Sequence, residues 1–160
     1  YMSRPERTKV LKQIYRNLKK DGKLIIRDWA NNNSDKLYKI NTKSEKASKE
    51  VDRWVKKLKE NSIIQNVEKI NNKEYKTTEK EAYEVIFHVV WGLQSLERES
   101  KEEYNIQDYL EKWLLKPLNF KVSSVIEEKD ESYLQYLQKY FILDEVPFNT
   151  KCILVLEKDI

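Results

Sequence analysis

Asp28 lies with Arg27 and Trp29 at the carboxyl end of a short apolar run, Leu24-Ile25-Ile26, that reads as a strand. A carboxylate at a strand's carboxyl end lies where open α/β sheets place their ligand crevice. There it could orient an amine or hydroxyl group, while Arg27 on a regular strand points to the opposite face. Pairing of Asp28 with a nearby lysine, or the capping of a turn, is the structural alternative. His88 is the single histidine, set in Val85-Ile86-Phe87-His88-Val89-Val90-Trp91. It reads either as a general base for deprotonating a nucleophile or as a hydrogen-bonded core residue. With no second histidine and no cysteine cluster, a zinc site is not expected. Trp91, Arg98, Glu99 and Tyr104 bring together an aromatic face and a guanidinium fork, which suit a planar or anionic molecule. The alternative puts Trp91 in the core and pairs Arg98 with Glu102 on a helix surface.

These residues need elements to position them. Val10, Leu11, Ile14 and Leu18 recur at helical spacing, with Lys19 and Lys20 in the last turn at the negative end of the helix dipole. Asp21-Gly22 supplies the stop, Gly22 taking the left-handed conformation. Leu24-Ile25-Ile26 then reads as a strand buried on both faces. The set is the back half of a βαβ unit in a parallel sheet. Ahead of it, Ser3 is a candidate N-cap, Pro5 fits the first turn and Glu6 completes a capping box. After a polar loop from Ala30 to Lys36, the spacing of Val51, Trp54, Val55 and Leu58 predicts a helix from about Ser44 to Glu60. Ile63 to Ile70 alternates weakly, turns at Asn71-Asn72 and pairs back through Tyr75 to Thr78 as a small hairpin. Ala82 to Trp91 reads as a buried helix ended by Gly92. Ser95 caps a second, charged helix, and Tyr109, Leu110, Trp113 and Leu114 form the stripe of a third that Pro117 breaks. A strand at Phe120 to Ile126, a short helix at Glu131 to Tyr140 and a closing strand at Thr150 to Leu156 complete the chain.

Composition bounds the possibilities. A chain of 160 residues can bury one real core, and with 36% charged and 39% hydrophobic residues it is wet but not disordered. The eighteen aromatic side chains (four Trp, ten Tyr, four Phe) point the same way. No apolar run approaches the roughly 20 residues a membrane helix needs, so no membrane partner is expected. The lone Cys152 fits a reducing, cytoplasmic setting. The net charge of +4 comes from interspersed charges, so a nucleic-acid partner is possible but not favoured over a solvated surface. Gly22 and Gly92 are the only glycines, which excludes a glycine-rich phosphate or nucleotide loop within this chain. Together with a start at Tyr1 rather than Met, this reads as the C-terminal part of a longer protein whose cofactor-binding half is missing.

The segment Leu11-Lys12-Gln13-Ile14-Tyr15-Arg16-Asn17-Leu18-Lys19-Lys20-Asp21-Gly22-Lys23-Leu24-Ile25-Ile26-Arg27-Asp28 resembles the fourth helix and fifth strand of class I S-adenosylmethionine-dependent methyltransferases. Lys20-Asp21-Gly22 stands where that family usually has Pro-Gly-Gly. Pro117-Leu118-Asn119-Phe120-Lys121-Val122 and Thr150 to Lys158 are similar to the family's ending, in which the last two strands form an antiparallel pair beside the fifth. The run from Tyr83 to Tyr104 is similar to an insertion in a bacterial group of these enzymes. The resemblance implies an α/β fold: the C-terminal part of a Rossmann-like sheet in the order helix, strand, helical insertion, helix, strand, short helix, antiparallel strand. It divides the chain into a core helix and strand (1–29), a mostly helical substrate-side insertion (30–104) and a C-terminal core part (105–160). It implies S-adenosylmethionine as methyl donor, bordered by Tyr1 and Ser3, and Asp28 and His88 as catalytic candidates. Trp29, Trp91, Arg98, Glu99 and Tyr104 would line the side of an unidentified acceptor. No metal is implied, and the missing N-terminal half is the expected partner. A non-catalytic methyltransferase-like subunit and a basic RNA-binding module are the alternative readings.

Overall fold

The computed structural model describes residues 4–29, 34–92, 118–149 and 151–159. The chain divides into two compact units, the first from Tyr1–Asn31, Glu102–Glu128 and Asn149–Ile160, the second from Asn32–Lys101 and Lys129–Phe148. Both are mixed α/β with antiparallel sheets. The short helix near residue 134, expected in the core part, therefore belongs to the second unit, and that unit carries a sheet of its own.

In the first unit, α1 (Arg4–Asn17) leads through a turn to β1 (Lys23–Trp29). β5 (Phe120–Glu128) and β6 (Lys151–Lys158) complete a three-stranded sheet in the order β1-β6-β5. The strand β6 is antiparallel to both neighbours, with Leu154 opposite Ile26 on one side and Val125 on the other. Strict alternation along β6 buries Cys152, Leu154 and Leu156 on one face. Leu11, Leu118 and Phe120 close over them, with Tyr15, Leu18, Leu24, Ile26 and Val122 packed around the rim. The Tyr15 ring meets Phe120 edge-on at 5.0 Å.

Four expectations are corrected here. The buried stripe of α1 is Leu11 with Tyr15 and Leu18, whereas Val10 is exposed, because the helix docks one residue further round than its aliphatics suggest. Asn17 ends the helix, so Lys19 and Lys20 lie in the turn beyond it. Gly22 is not left-handed; a Cβ there would stand 2.9 Å from Leu18 Cδ1 and 3.1 Å from the Lys19 carbonyl oxygen, so glycine answers to close approach. Nor is β1 buried on both faces: Leu24 and Ile26 pack inward while Ile25 is 65% exposed. Among the described residues its strand partner is the antiparallel β6.

The second unit opens with β2 (Leu37–Asn41), a strand in a stretch between the polar loop and the helix near Ser44 to which the sequence reading assigned no element. Next come α2 (Glu45–Glu60), β3 (Glu68–Lys69), β4 (Glu74–Thr78) and α3 (Glu79–Trp91). A turn of 3-10 helix (Glu131–Tyr133) runs into the short α4 (Leu134–Leu137). The sheet order is β2-β4-β3, all antiparallel. α2 starts where Ser44 accepts a hydrogen bond from the Ala47 amide, and it buries Ala47, Ser48, Val51, Trp54 and Leu58 at helical spacing. α3 packs on α2, β2, β4 and α4, which is why residues from Glu81 to Val89, apart from the half-buried Glu84, are buried. Gly92 closes α3 in the left-handed region at φ 53°, its amide donating to the His88 carbonyl.

That conformation costs a side chain roughly 1 kcal/mol, so Gly92→Ala should lower unfolding free energy by about that amount and Gly92→Asn by less. Urea denaturation followed by tryptophan fluorescence would check both; equal stability of all three proteins would contradict the αL cap.

Candidate functional site

Asp28 and Trp29 occupy the last two positions of β1, opposite Cys152 and Lys151 of β6. The backbone thus puts Asp28 at the strand's carboxyl end, as the sequence implied. Arg27, one residue earlier, turns to the face of Ile25 and reaches diagonally across β6, its Nε donating to Glu128 Oε1 at 3.0 Å and Nη2 lying 2.9 Å from the same oxygen. Tyr1, Ser3, Arg98, Glu99 and Tyr104 lie outside the described residues.

His88 and Trp91 stand three residues apart on α3 but keep different company. His88 is 1% exposed, and its Nδ1 sits 2.6 Å from the Glu84 carbonyl oxygen one turn back, which fixes Nδ1 as the protonated nitrogen of the neutral ring. The Trp54 ring lies 5.3 Å away. Burial holds its pKa below the ordinary histidine value, opposed in part by that hydrogen bond. This is the environment of a hydrogen-bonded core histidine. Trp91 is 38% exposed; it stacks on Phe87 at 5.1 Å and meets Tyr133 edge-on at 5.0 Å, with Tyr136 further out.

Among the described residues, a heavily bonded carboxylate, that of Glu81, was not among the sequence candidates. Thr78-x-x-Glu81 is a capping-box pattern, and Thr78 does accept from the Glu81 amide. The Glu81 carboxylate does not return to Thr78. It is 7% exposed and accepts from the Gln65 and Asn66 amides and from the Thr77 hydroxyl, fastening the loop after α2 to the start of α3. The spacing was visible in the sequence, but the distant amides were not. A second network joins α2 to the hairpin: the Tyr75 hydroxyl lies 2.6 Å from Asp52 Oδ1 and 3.0 Å from the Ser48 carbonyl oxygen, and Lys69 Nζ lies 2.8 Å from Asp52 Oδ2. Burial and then the bond to Asp52 push the Tyr75 phenol well above its ordinary pKa, so it serves as a neutral donor. Burial and the charge of Glu79 push Tyr38 up to about 12.

Among the described residues no group of histidine, cysteine or carboxylate side chains could hold a metal ion, and no helix is long and apolar enough to cross a membrane. Comparison with protein-family models, with curated proteins and with solved structures finds no match for the chain.

Two measurements follow from this geometry. Glu81→Ala removes the acceptor of the Gln65 and Asn66 amides and of the buried Thr77 hydroxyl and should cost about 1–3 kcal/mol, read from the urea midpoint; a loss under about 0.5 kcal/mol, the range of an ordinary surface change, would contradict the stapling role. For His88 the folded pKa lies below the unfolded one, so its contribution is complete above an ordinary value near 6.5 and is lost as the pH falls towards the folded pKa. Because the chain has one histidine, the urea midpoint should drop between about pH 6.5 and 5.5 in the parent chain and stay nearly flat there in His88→Gln. A midpoint that rises on acidification would reverse the assignment.

Proposed function

We propose that this chain is the acceptor-side, C-terminal part of a class I S-adenosylmethionine-dependent methyltransferase, and that the whole protein transfers a methyl group from that donor to an unidentified acceptor in the cytoplasm. The observation that carries the reading is the chain order of the first unit. A helix, a close turn at Gly22 and a strand are followed by a long excursion; two strands then return and pair antiparallel, the last of them lying directly beside β1. That agrees with the sequence resemblance, in which the closing antiparallel pair adjoins the strand ending in Asp28.

The described residues offer no cradle for the donor. Gly22 is closed off by Leu18, and Gly92 caps α3. On this reading the donor site belongs to an upstream half of the protein and is bordered by Tyr1 and Ser3. The residues of this chain would then hold the acceptor in line and orient the group that receives the methyl. Asp28, at the end of β1, is assigned to that task with Trp29 beside it in sequence. Trp91, with its exposed edge in an aromatic cluster, and Arg98, Glu99 and Tyr104 are assigned to the acceptor. His88, enclosed among core side chains, is assigned to packing and not to proton transfer.

The test uses the product of the longer reading frame, S-adenosylmethionine with a tritiated methyl group, and a cell extract as the source of acceptor. Label should enter an acceptor, and Asp28→Asn should slow incorporation by about 100-fold with little change in donor affinity. A well-folded protein that binds the donor but labels nothing would favour a non-catalytic subunit. Salt-sensitive RNA binding without donor binding would favour the RNA module.

A further inference from the structure

The groove between α2 and the β3–β4 hairpin has a cavity of about 380 Å³, within the range of sites for small molecules. Its wall combines two chemistries. Val55, Val67 and Tyr75 line it on the apolar side, with Lys69 Nζ 5.6 Å over the Tyr75 ring, and Lys56 and Lys59 line it beside them. Two carboxylates, Asp52 and Glu60, also line it. Both oxygens of Asp52 are held, one by the buried Tyr75 hydroxyl and one by Lys69, while Glu60 is the last residue of α2.

The lysines keep unused donors. An ammonium group has three N–H bonds; Lys59 gives one to the Val67 carbonyl oxygen at 3.0 Å and Lys69 gives one to Asp52. Lys56 stands three residues before Lys59, on the same side of α2, and has no hydrogen-bonding partner among the described residues. The bonds that Lys59 and Lys69 do make hold their heads near the groove, which lowers the entropy cost of ordering them around a ligand.

We infer that this groove is a binding site for a small molecule with an apolar or aromatic body and an anionic head, phosphate or carboxylate. The body rests on Val55, Val67 and Tyr75, and the head lies between Lys56 and Lys59. The site falls wholly within the second unit and does not depend on the methyl-transfer reading.

The test is a titration of the isotopically labelled chain with phenyl phosphate, read by amide NMR shifts, with inorganic phosphate and benzyl alcohol run separately. Saturable shifts should gather at Val55, Lys56, Lys59, Val67 and Lys69. Lys56→Glu should weaken binding by about tenfold or more, while Lys80→Glu, an exposed charge change on α3, should leave it unchanged. Shifts scattered over lysines across the chain, or equal weakening in both variants, would overturn the site. Inorganic phosphate binding as tightly as phenyl phosphate would overturn the role of the apolar side.

Discussion

The first unit depends on β6. Its residues are paired on both sides, to β1 and to β5, so its backbone groups are satisfied without solvent. Its strict alternation then sends Cys152, Leu154 and Leu156 to one face, where α1 and Phe120 cover them. Without that central antiparallel strand, β1 and β5 would have no ladder between them, and the inner surface of α1 would have nothing to pack on. The position of Asp28 at the end of β1 is a consequence, since the register fixes where β1 stops.

The second unit is held differently. Its sheet is small, and β3 is only two residues long, so helices and loops have to be fastened by side chains. Glu81 ties the loop after α2 to α3, and Asp52 ties α2 to the hairpin through Tyr75 and Lys69. Thr42 adds a third fastening, its hydroxyl bonded to Ser48 and to the Lys73 carbonyl. These polar groups sit at the seams between elements, and at the buried ones, Thr42, Ser48, Tyr75 and Glu81, a broken bond is costly. The same fastening fixes the walls of the groove beside α2.

The sequence showed best those elements whose signals are local. Ser44 and the Val51-Trp54-Leu58 spacing place α2 to within a residue, and Gly92 marks the end of α3. β5, β6 and the hairpin also follow from short-range pattern. β2 was missed because Leu37, Tyr38 and Lys39 show no clean alternation and Ile40 alone is fully buried in it. The two-sided burial expected of β1 failed because an aliphatic triplet cannot report whether a second layer covers it, and Ile25 is exposed. Asp28 was placed correctly on the backbone; the importance of Glu81 was not seen, because its partners, Gln65 and Asn66, lie on a distant loop. His88 in an apolar run fitted two readings, and only its burial and the Glu84 carbonyl separate them.

The central claim is that this chain supplies the acceptor side of a methyltransferase whose donor site lies upstream. Calorimetric titration with S-adenosylmethionine, performed on the 160-residue chain and on the same chain joined to its upstream half, tests it most directly. The account predicts saturable one-site binding, in the micromolar range typical of enzyme ligands, to the longer protein and little heat from the shorter one. No binding to a well-folded longer protein would contradict it.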